Sequence, residues 1–251
     1  MSNIISIHSY RGGTGKSNTT ANLATLLAMD GLRVGVVDTD IQSPGIHALF
    51  GLEENDMKHS LNDYLWGLCS IAEASHDVTA NLEGEIPGRI FLIPSSLKPG
   101  EIARVLREGY DVGLLDAGFQ ELIRELELDA LLIDTHPGLN EETLLSIAIS
   151  DKVVLILRPD QQDFMGTSVT VEVARKLDVA ELLLVVNKVP EVFNFDDVKK
   201  QVENTYNCEV PALLPHSDEM MILGSAGIFV LKHPDTTVAK ELKGLANRLQ
   251  Q

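Results

Sequence analysis

With 251 residues, 44% of them hydrophobic and 23% charged, the chain has the composition of one soluble α/β domain large enough to bury a sizeable core. It contains no apolar run of about 18 residues that would mark a membrane span, and its start, "MSNIISIHSYRGG", lacks the basic segment and cleavage site of a signal peptide, which points to the cytosol. A net charge of −17 argues against strong, indiscriminate nucleic-acid binding by an isolated monomer, and only two distant cysteines, Cys69 and Cys208, exclude a disulfide framework or a C-x-x-C pair and read as reduced core residues.

Short apolar runs bounded by turn residues alternate with segments of helical period. Strands are expected at 3–9, 33–40, 89–96, 129–136, 152–160 and 181–188, and helices near 16–29, 100–108, 116–128, 141–149, 163–176 and 195–205. Continuous apolar strands alternating with helices predict a mostly parallel sheet covered on both faces, with ligands at the carboxyl ends of the strands. The least regular segment, 53–88, holds the single tryptophan, Trp66, and is the candidate for a family-specific excursion or partner surface.

The first strand runs into "RGGTGKSN" and then a helix, the context of a phosphate-binding loop. Glycines let backbone N–H groups turn inward around phosphate oxygens, and the helix N-terminus adds its positive end. Gly12, Gly13, Thr14, Gly15, Lys16, Ser17 and Asn18 are therefore candidates for binding nucleotide, with Lys16 on the β- and γ-phosphates and Ser17 on Mg2+. The pattern G-x-x-x-x-G-K-[ST] is missing its first glycine, because Tyr10 stands there.

That substitution is normal in a known group. "SYRGGTGKSN" resembles the deviant Walker A loop, K-G-G-x-G-K-[ST], of the ParA/MinD family of P-loop ATPases. The resemblance spans nearly the whole chain, weakest at 53–88, and implies a single α/β P-loop NTPase domain over 1–251 that uses ATP and Mg2+. Arg11 occupies the position of the family's signature lysine, which reaches across a nucleotide-sandwich dimer to the partner's ATP. Arginine keeps the charge but not the ammonium geometry, so Arg11, Lys98 and Lys152 all stand as candidates for that contact. Lys152 begins a strand, which should put it at the far end of the sheet.

"VVDTDIQSPG" resembles the family's next motif. Alternate strand residues share a face, so Asp38 and Asp40 can point to the same side; the family roles carried over make Asp38 a holder of the magnesium's water shell and Asp40 the residue that orients or activates the attacking water. "ALLIDTHPGLN" resembles Walker B and switch II, with Asp134 toward Mg2+ and Gly138 sensing the γ-phosphate. His136 reads as an ordinary loop histidine, because the family mechanism requires none there. "LLVVNKVP" places Asn187 where the family's asparagine meets adenine, and Pro215, Ser217 and Asp218 resemble the second side of the base pocket.

The charge is uneven. Residues 171–251 hold 9 Lys or Arg against 12 Asp or Glu, while residues 1–170 hold 11 against 25. Arg175, Lys176, Lys199, Lys200, Lys240, Lys243 and Arg248 are the candidate basic surface. Val238, Leu242, Leu245 and Leu249 of the final stretch suit core packing rather than the basic, aromatic membrane helix of MinD-like proteins, so no membrane partner is expected. The loops look similar to those of the carboxysome-positioning branch, the McdA proteins. That resemblance implies an ATP-dependent homodimer on non-specific nucleoid DNA, released by an McdB-like adaptor that stimulates hydrolysis. A division-site regulator of MinD type acting at the membrane, and a ParA-type partition ATPase for plasmid or chromosome, are the alternatives.

Overall fold

All six apolar runs become strands. In the computed structural model, which describes residues 2–251, β1 (Asn3–His8), β2 (Arg33–Asp38), β3 (His76–Asp77), β4 (Arg89–Ile93), β5 (Ala130–Asp134), β6 (Lys152–Leu157), β7 (Glu181–Val189) and β8 (Glu209–Pro215) form one sheet, ordered β3-β4-β2-β5-β1-β6-β7-β8. Every neighbour pair is parallel except β3 with β4. The helices are α1 (Lys16–Met29), α2 (Ile46–Leu49), α3 (Leu61–Leu65), α4 (Pro99–Glu108), α5 (Gly113–Glu125), α6 (Glu141–Ala148), α7 (Gln161–Lys176), α8 (Phe195–Tyr206), α9 (Asp218–Leu223), α10 (Phe229–Lys232) and α11 (Thr237–Leu249). This is the expected single-domain α/β architecture.

The period of two along each strand sorts its side chains into the two layers. Ile5, Ile7, Val34, Val36, Leu132 and Val154 face α1 and α11. Their neighbours Ile4, Val37, Leu131 and Ile133 face Leu115, Phe119 and Leu122 of α5, and Val153, Leu155 and Leu157 face Val171 and Ala174 of α7. α1 packs on the sheet beside α11, which itself contacts β8, and even its polar residues Thr20, Asn22 and Thr25 are buried. Their side chains donate to the carbonyls of Lys16, Asn18 and Ala21, one turn back, which removes the penalty of burying them.

Several expectations need correction. β8 was not anticipated, because Pro211 within "EVPALLP" argues against a strand; β8 pairs only with β7, and an edge strand tolerates proline. The helix expected at 116–128 runs from Gly113 to Glu125. Four strands expected to reach 40, 96, 136 and 160 end earlier, at Asp38, Ile93, Asp134 and Leu157. Their last residues leave the ladder and become loops on the carboxyl edge. Segment 53–88 packs onto the domain: Leu61, Leu65, Ile71 and Val78 are buried, and Trp66 packs on the α5 layer with the Arg104 guanidinium 4.3 Å from its ring centroid. Cys69 and Cys208 are free but half-buried rather than core residues, and burial pushes the Cys69 thiol up to about 11.

Candidate nucleotide site

β1 is the switch point of the sheet, with β5 and β2 to one side and β6 and β7 to the other, and the crevice of such a sheet lies off the carboxyl ends of its strands. The loop after β1 enters that crevice. Gly13 and Gly15 have φ of 74° and 99°, left-handed values that glycine adopts without a Cβ penalty. Gly15 is also the residue that caps α1, so the helix N-terminus opens onto the loop.

Two adjoining cavities share Gly13, Gly15 and Asn18. One, about 350 Å3, is lined by Gly12, Gly13, Gly15, Lys16, Ser17, Asn18, Asp40, Ser43, His136 and Pro137. The other, about 270 Å3, is lined by Gly13, Gly15, Asn18, Asn187, Lys188, Pro215, His216, Ser217, Met220, Met221 and Gly224. The first is polar and sits on the glycine loop, as phosphates require; the second has the methionines and proline that suit a base. Thr14 is buried beneath the loop, and its hydroxyl has no protein partner.

β2 and β5 are paired with Asp38 opposite Asp134, and both strands turn these positions toward α1. Each carboxylate is almost wholly buried. Asp38 accepts the backbone N–H of Asp40 at 3.0 Å and of Gly45 at 3.3 Å; Asp134 accepts the Thr20 hydroxyl at 3.2 Å. Burial raises the pKa of Asp38, and the charge of Asp134 raises it further. Asp134 is raised chiefly by its own burial, partly offset by Lys16 and by hydrogen bonds from Ser17 and Thr20. Two adjacent buried carboxylates with one lysine near them are short of positive charge. Among the described residues no group of three or more His, Cys, Asp or Glu is placed to hold a metal. Asp38, Asp134 and Ser17 offer a partial set of oxygen donors, the kind suited to Mg2+, which keeps several waters and is completed by substrate phosphates.

Asp40 stands outside the ladder with its side chain at the mouth of the phosphate cavity, where Oδ1 accepts from His136 Nδ1 at 2.7 Å and from the Ser43 N–H at 3.1 Å. The histidine read as an ordinary loop residue is thus bonded to a candidate catalytic carboxylate. The sequence carried no local signal for this, since the two residues are 96 positions apart. Gly138, expected to offer its N–H to a γ-phosphate, here donates it to the Ser9 carbonyl at 3.1 Å.

Arg11 turns to its own chain, toward Asp160 at 3.6 Å and Asp163 at 3.4 Å. Arg158 holds the same Asp163 through two side-chain bonds of 2.9 and 3.1 Å and its backbone N–H at 2.9 Å. Burial pushes the Asp163 pKa up, but the bonds from Arg158 and the charges of Arg158 and Arg11 outweigh it, and the net direction is down. Asp163→Ala leaves Arg11 and Arg158 with Asp160 as their remaining carboxylate, 3.6 and 3.4 Å away, and removes the acceptor of the Arg158 N–H; it is expected to cost about 2 kcal/mol, the scale of lost hydrogen bonds to a charged group. Urea unfolding of the two proteins measures it. Tyr10 packs its ring where Gly166 of α7 has no side chain; a Cβ there would lie 1.9 Å from the ring.

Lys98 precedes α4 and pairs with Glu101 at 3.0 Å. Lys152 is corrected: its ammonium is buried at the opposite edge of the sheet against the Leu249 carbonyl at 2.9 Å and Glu181 at 3.2 Å, as its place at the start of β6 dictates. Asn187 lies at the base cavity, yet its amide donates to the Thr14 carbonyl at 2.7 Å and its Oδ1 accepts the Lys188 N–H at 2.7 Å. It braces the glycine loop and retains one N–H and one lone pair for a ligand. Lys188 was missed; with φ of 58° it swings its ammonium onto the Gly13 carbonyl at 2.8 Å. Pro215 and Ser217 line the base cavity, and the Ser217 hydroxyl caps α9 by accepting from Met220 N–H at 3.1 Å. Asp218 does not line it: it is exposed beside His216, 3.4 Å away, in a neighbouring depression with Lys188 and Glu191.

Residues 2–184 match the model of a family described as an AAA domain. The chain is 25% identical over 261 residues to the septum site-determining protein MinD of Thermotoga maritima, covering 100% of this chain and 89% of that protein. Among solved structures, MinD of Pyrococcus horikoshii complexed with Mg-ADP superposes with a TM-score of 0.82 at 22% identity, covering 100% of this chain and 97% of the other. Apo McdA from Cyanthece superposes with a TM-score of 0.79 at 17% identity, covering 100% of both; at such identities the superpositions speak for the fold alone. The chain belongs to the AAA domain family and is a P-loop ATPase with the fold of the MinD and McdA structures.

Proposed function

We propose that this chain is a positioning ATPase whose ATP-bound homodimer grips DNA without sequence preference and lets go on hydrolysis. The observation that carries the ATP cycle is that Lys16 and Asp40 line one cavity on the glycine loop, while Asp38, which accepts the Asp40 N–H, is paired opposite Asp134 at the adjoining strand ends. In this scheme the N–H groups of Gly12 to Ser17 cradle the β- and γ-phosphates, and Lys16 neutralises them. Ser17, Asp38 and Asp134 would hold Mg2+, which would supply charge neutralisation on the phosphate oxygens. Asp40 holds the attacking water in line with the γ-phosphate. Asn187, Pro215 and Ser217 flank the adenine, and Asp218 stands outside its pocket. Arg11 is the trans-acting cation; it leaves Asp160 and Asp163 when a second subunit presents its phosphates.

The DNA surface is the C-terminal third, with fewer cations than its composition suggests. Arg248 is taken up by Glu181 and Glu209, Arg175 by the carbonyls of Tyr206 and Asn207, and Lys199 lies 3.9 Å from Glu203. Lys176, Lys200, Lys240 and Lys243 are exposed. Four lysines per subunit bind phosphate weakly alone and usefully as a pair, so dimerisation switches DNA binding on. Retention of the ATP form on DNA is expected to fall with salt at a log–log slope of roughly −4 to −7, from about 0.9 per phosphate neutralised. Retention indifferent to nucleotide and salt sinks the DNA reading.

Val238, Leu242, Leu245 and Leu249 bury the apolar face of α11 in the core, which supports DNA over membrane as the surface gripped. The similarity to MinD over the whole chain favours the second reading, a division-site regulator at the membrane. Flotation with liposomes and ATP, run beside the DNA assay, separates the two. The resemblance of the "SYRGGTGKSN" and "VDTDIQSPG" loops to those of McdA supports carboxysomes as the cargo and an McdB-like adaptor as the releasing partner. An adaptor of that kind that fails to accelerate hydrolysis removes that assignment and leaves the ATPase.

A further inference from the structure

Asp40 has two carboxylate oxygens and an uneven share of bonds between them. Oδ1 takes both the His136 ring at 2.7 Å and the Ser43 N–H at 3.1 Å, while Oδ2 has no protein partner among the described residues. A carboxylate accepts and does not donate, so Nδ1 of His136 carries the proton in this bond. Asp40 and His136 both line the phosphate cavity.

The histidine is itself held from several sides. The Thr143 hydroxyl donates to its carbonyl at 3.3 Å, and Thr143 is in turn the residue whose N–H is capped by Asn140 at 2.8 Å. Before it, the Thr135 hydroxyl is anchored to the Ile7 carbonyl at 3.0 Å and lies 2.7 Å from the His8 ring. After it, Pro137 restricts the backbone of His136 to extended conformations. The backbone of Asp40 is held by Asp38 and by Ser43, but its side chain has left the β2 ladder, and among the described residues the only other bond to its carboxylate besides His136 comes from the Ser43 N–H of the same turn.

We propose that His136 is a positioning residue for ATP hydrolysis, fixing the Asp40 carboxylate so that Oδ2 alone is presented to the cavity. Two bonds on Oδ1 define the plane of the carboxylate as well as its rotamer. Without the ring the side chain turns about its Cα–Cβ bond, and the free oxygen is spread over several orientations. The acting group is the Nδ1–H donor; Nε2 is not required. This inference rests on the assignment of Asp40 as the residue that holds the attacking water.

The test is steady-state ATPase kinetics with Mg-ATP on the full chain, with thermal unfolding and ATP affinity recorded for each variant. His136→Ala is expected to lower kcat roughly 10- to 100-fold, the scale of a small positional error at a reacting centre, with KM changed less than about two-fold. His136→Asn, whose Nδ2 occupies the place of Nδ1 on the same γ carbon, is expected to recover most of the lost kcat. A base at Nε2 would not be replaced by asparagine, so an Asn variant as slow as Ala overturns the donor role. Asp40→Ala is measured alongside, with the double variant to close the cycle. If Asp40→Ala is inactive while His136→Ala turns over normally, the His136 inference fails and the Asp40 reading stands. If Asp40→Ala turns over normally, the Asp40 reading itself fails. Additive losses in the double variant overturn the coupling; no further loss on adding His136→Ala to Asp40→Ala confirms it.

Discussion

Asp40→Ala is expected to slow ATP turnover by about 10²–10⁴-fold, the usual contribution of a positioned acid or base, while leaving ATP affinity within a few-fold of the parent. The split follows from where Asp40 sits. Its side chain hangs at the mouth of the cavity on a turn after β2 and is bonded to His136 and Ser43; Lys16, Ser17 and the glycine loop, which would carry the binding energy, are untouched. The variant should accumulate as a long-lived ATP-bound dimer, visible by gel filtration or light scattering. Loss of ATP binding in parallel with turnover would instead make Asp40 part of the binding wall.

Lys16→Ala should remove the activity at its origin. Lys16 is buried at the first turn of α1, near enough to the buried Asp134 to lower its pKa. Losing a desolvated charge that pairs with phosphate costs about 2–5 kcal/mol, or roughly 30- to several-thousand-fold in ATP affinity. The loss is compounded because Asp134 is left without its neighbouring cation and repels the incoming phosphates. Titration with a fluorescent ATP analogue measures it, and unaltered affinity would displace the nucleotide from this loop. Unlike Asp40→Ala, this variant should neither dimerise with ATP nor be retained on DNA. The pair therefore separates binding from hydrolysis.

Much of the site was legible because its parts are local. A glycine loop between a strand and a helix is contiguous, so "RGGTGKSN" announced its own geometry, and the left-handed Gly13 and Gly15 follow from the residues themselves. The burial of Asp38 and Asp134 was implied by the apolar strands that lead into them. Strand ends were overestimated where the site lies, since Asp40, His136 and Asp160 follow strands but leave the ladder. β8 was hidden because a proline argues against a strand unless the strand is known to lie at an edge, and edges are a property of the whole sheet.

Four pairings came only from the tertiary structure: Asp40 with His136, Asp38 with Asp134, Tyr10 over Gly166, and Arg11 with Asp163. Each joins residues about 96 to 156 positions apart, and none has a periodic signature, because the sheet order and not the chain order sets which strand ends are neighbours. The sequence by itself determined that this protein has a phosphate loop on a parallel sheet, with acidic residues at the ends of two strands. Only the tertiary structure decided that β2 and β5 lie side by side, which sets Asp38 directly opposite Asp134. It also turned Arg11 toward α7 and set a histidine against the carboxylate proposed to hold the water.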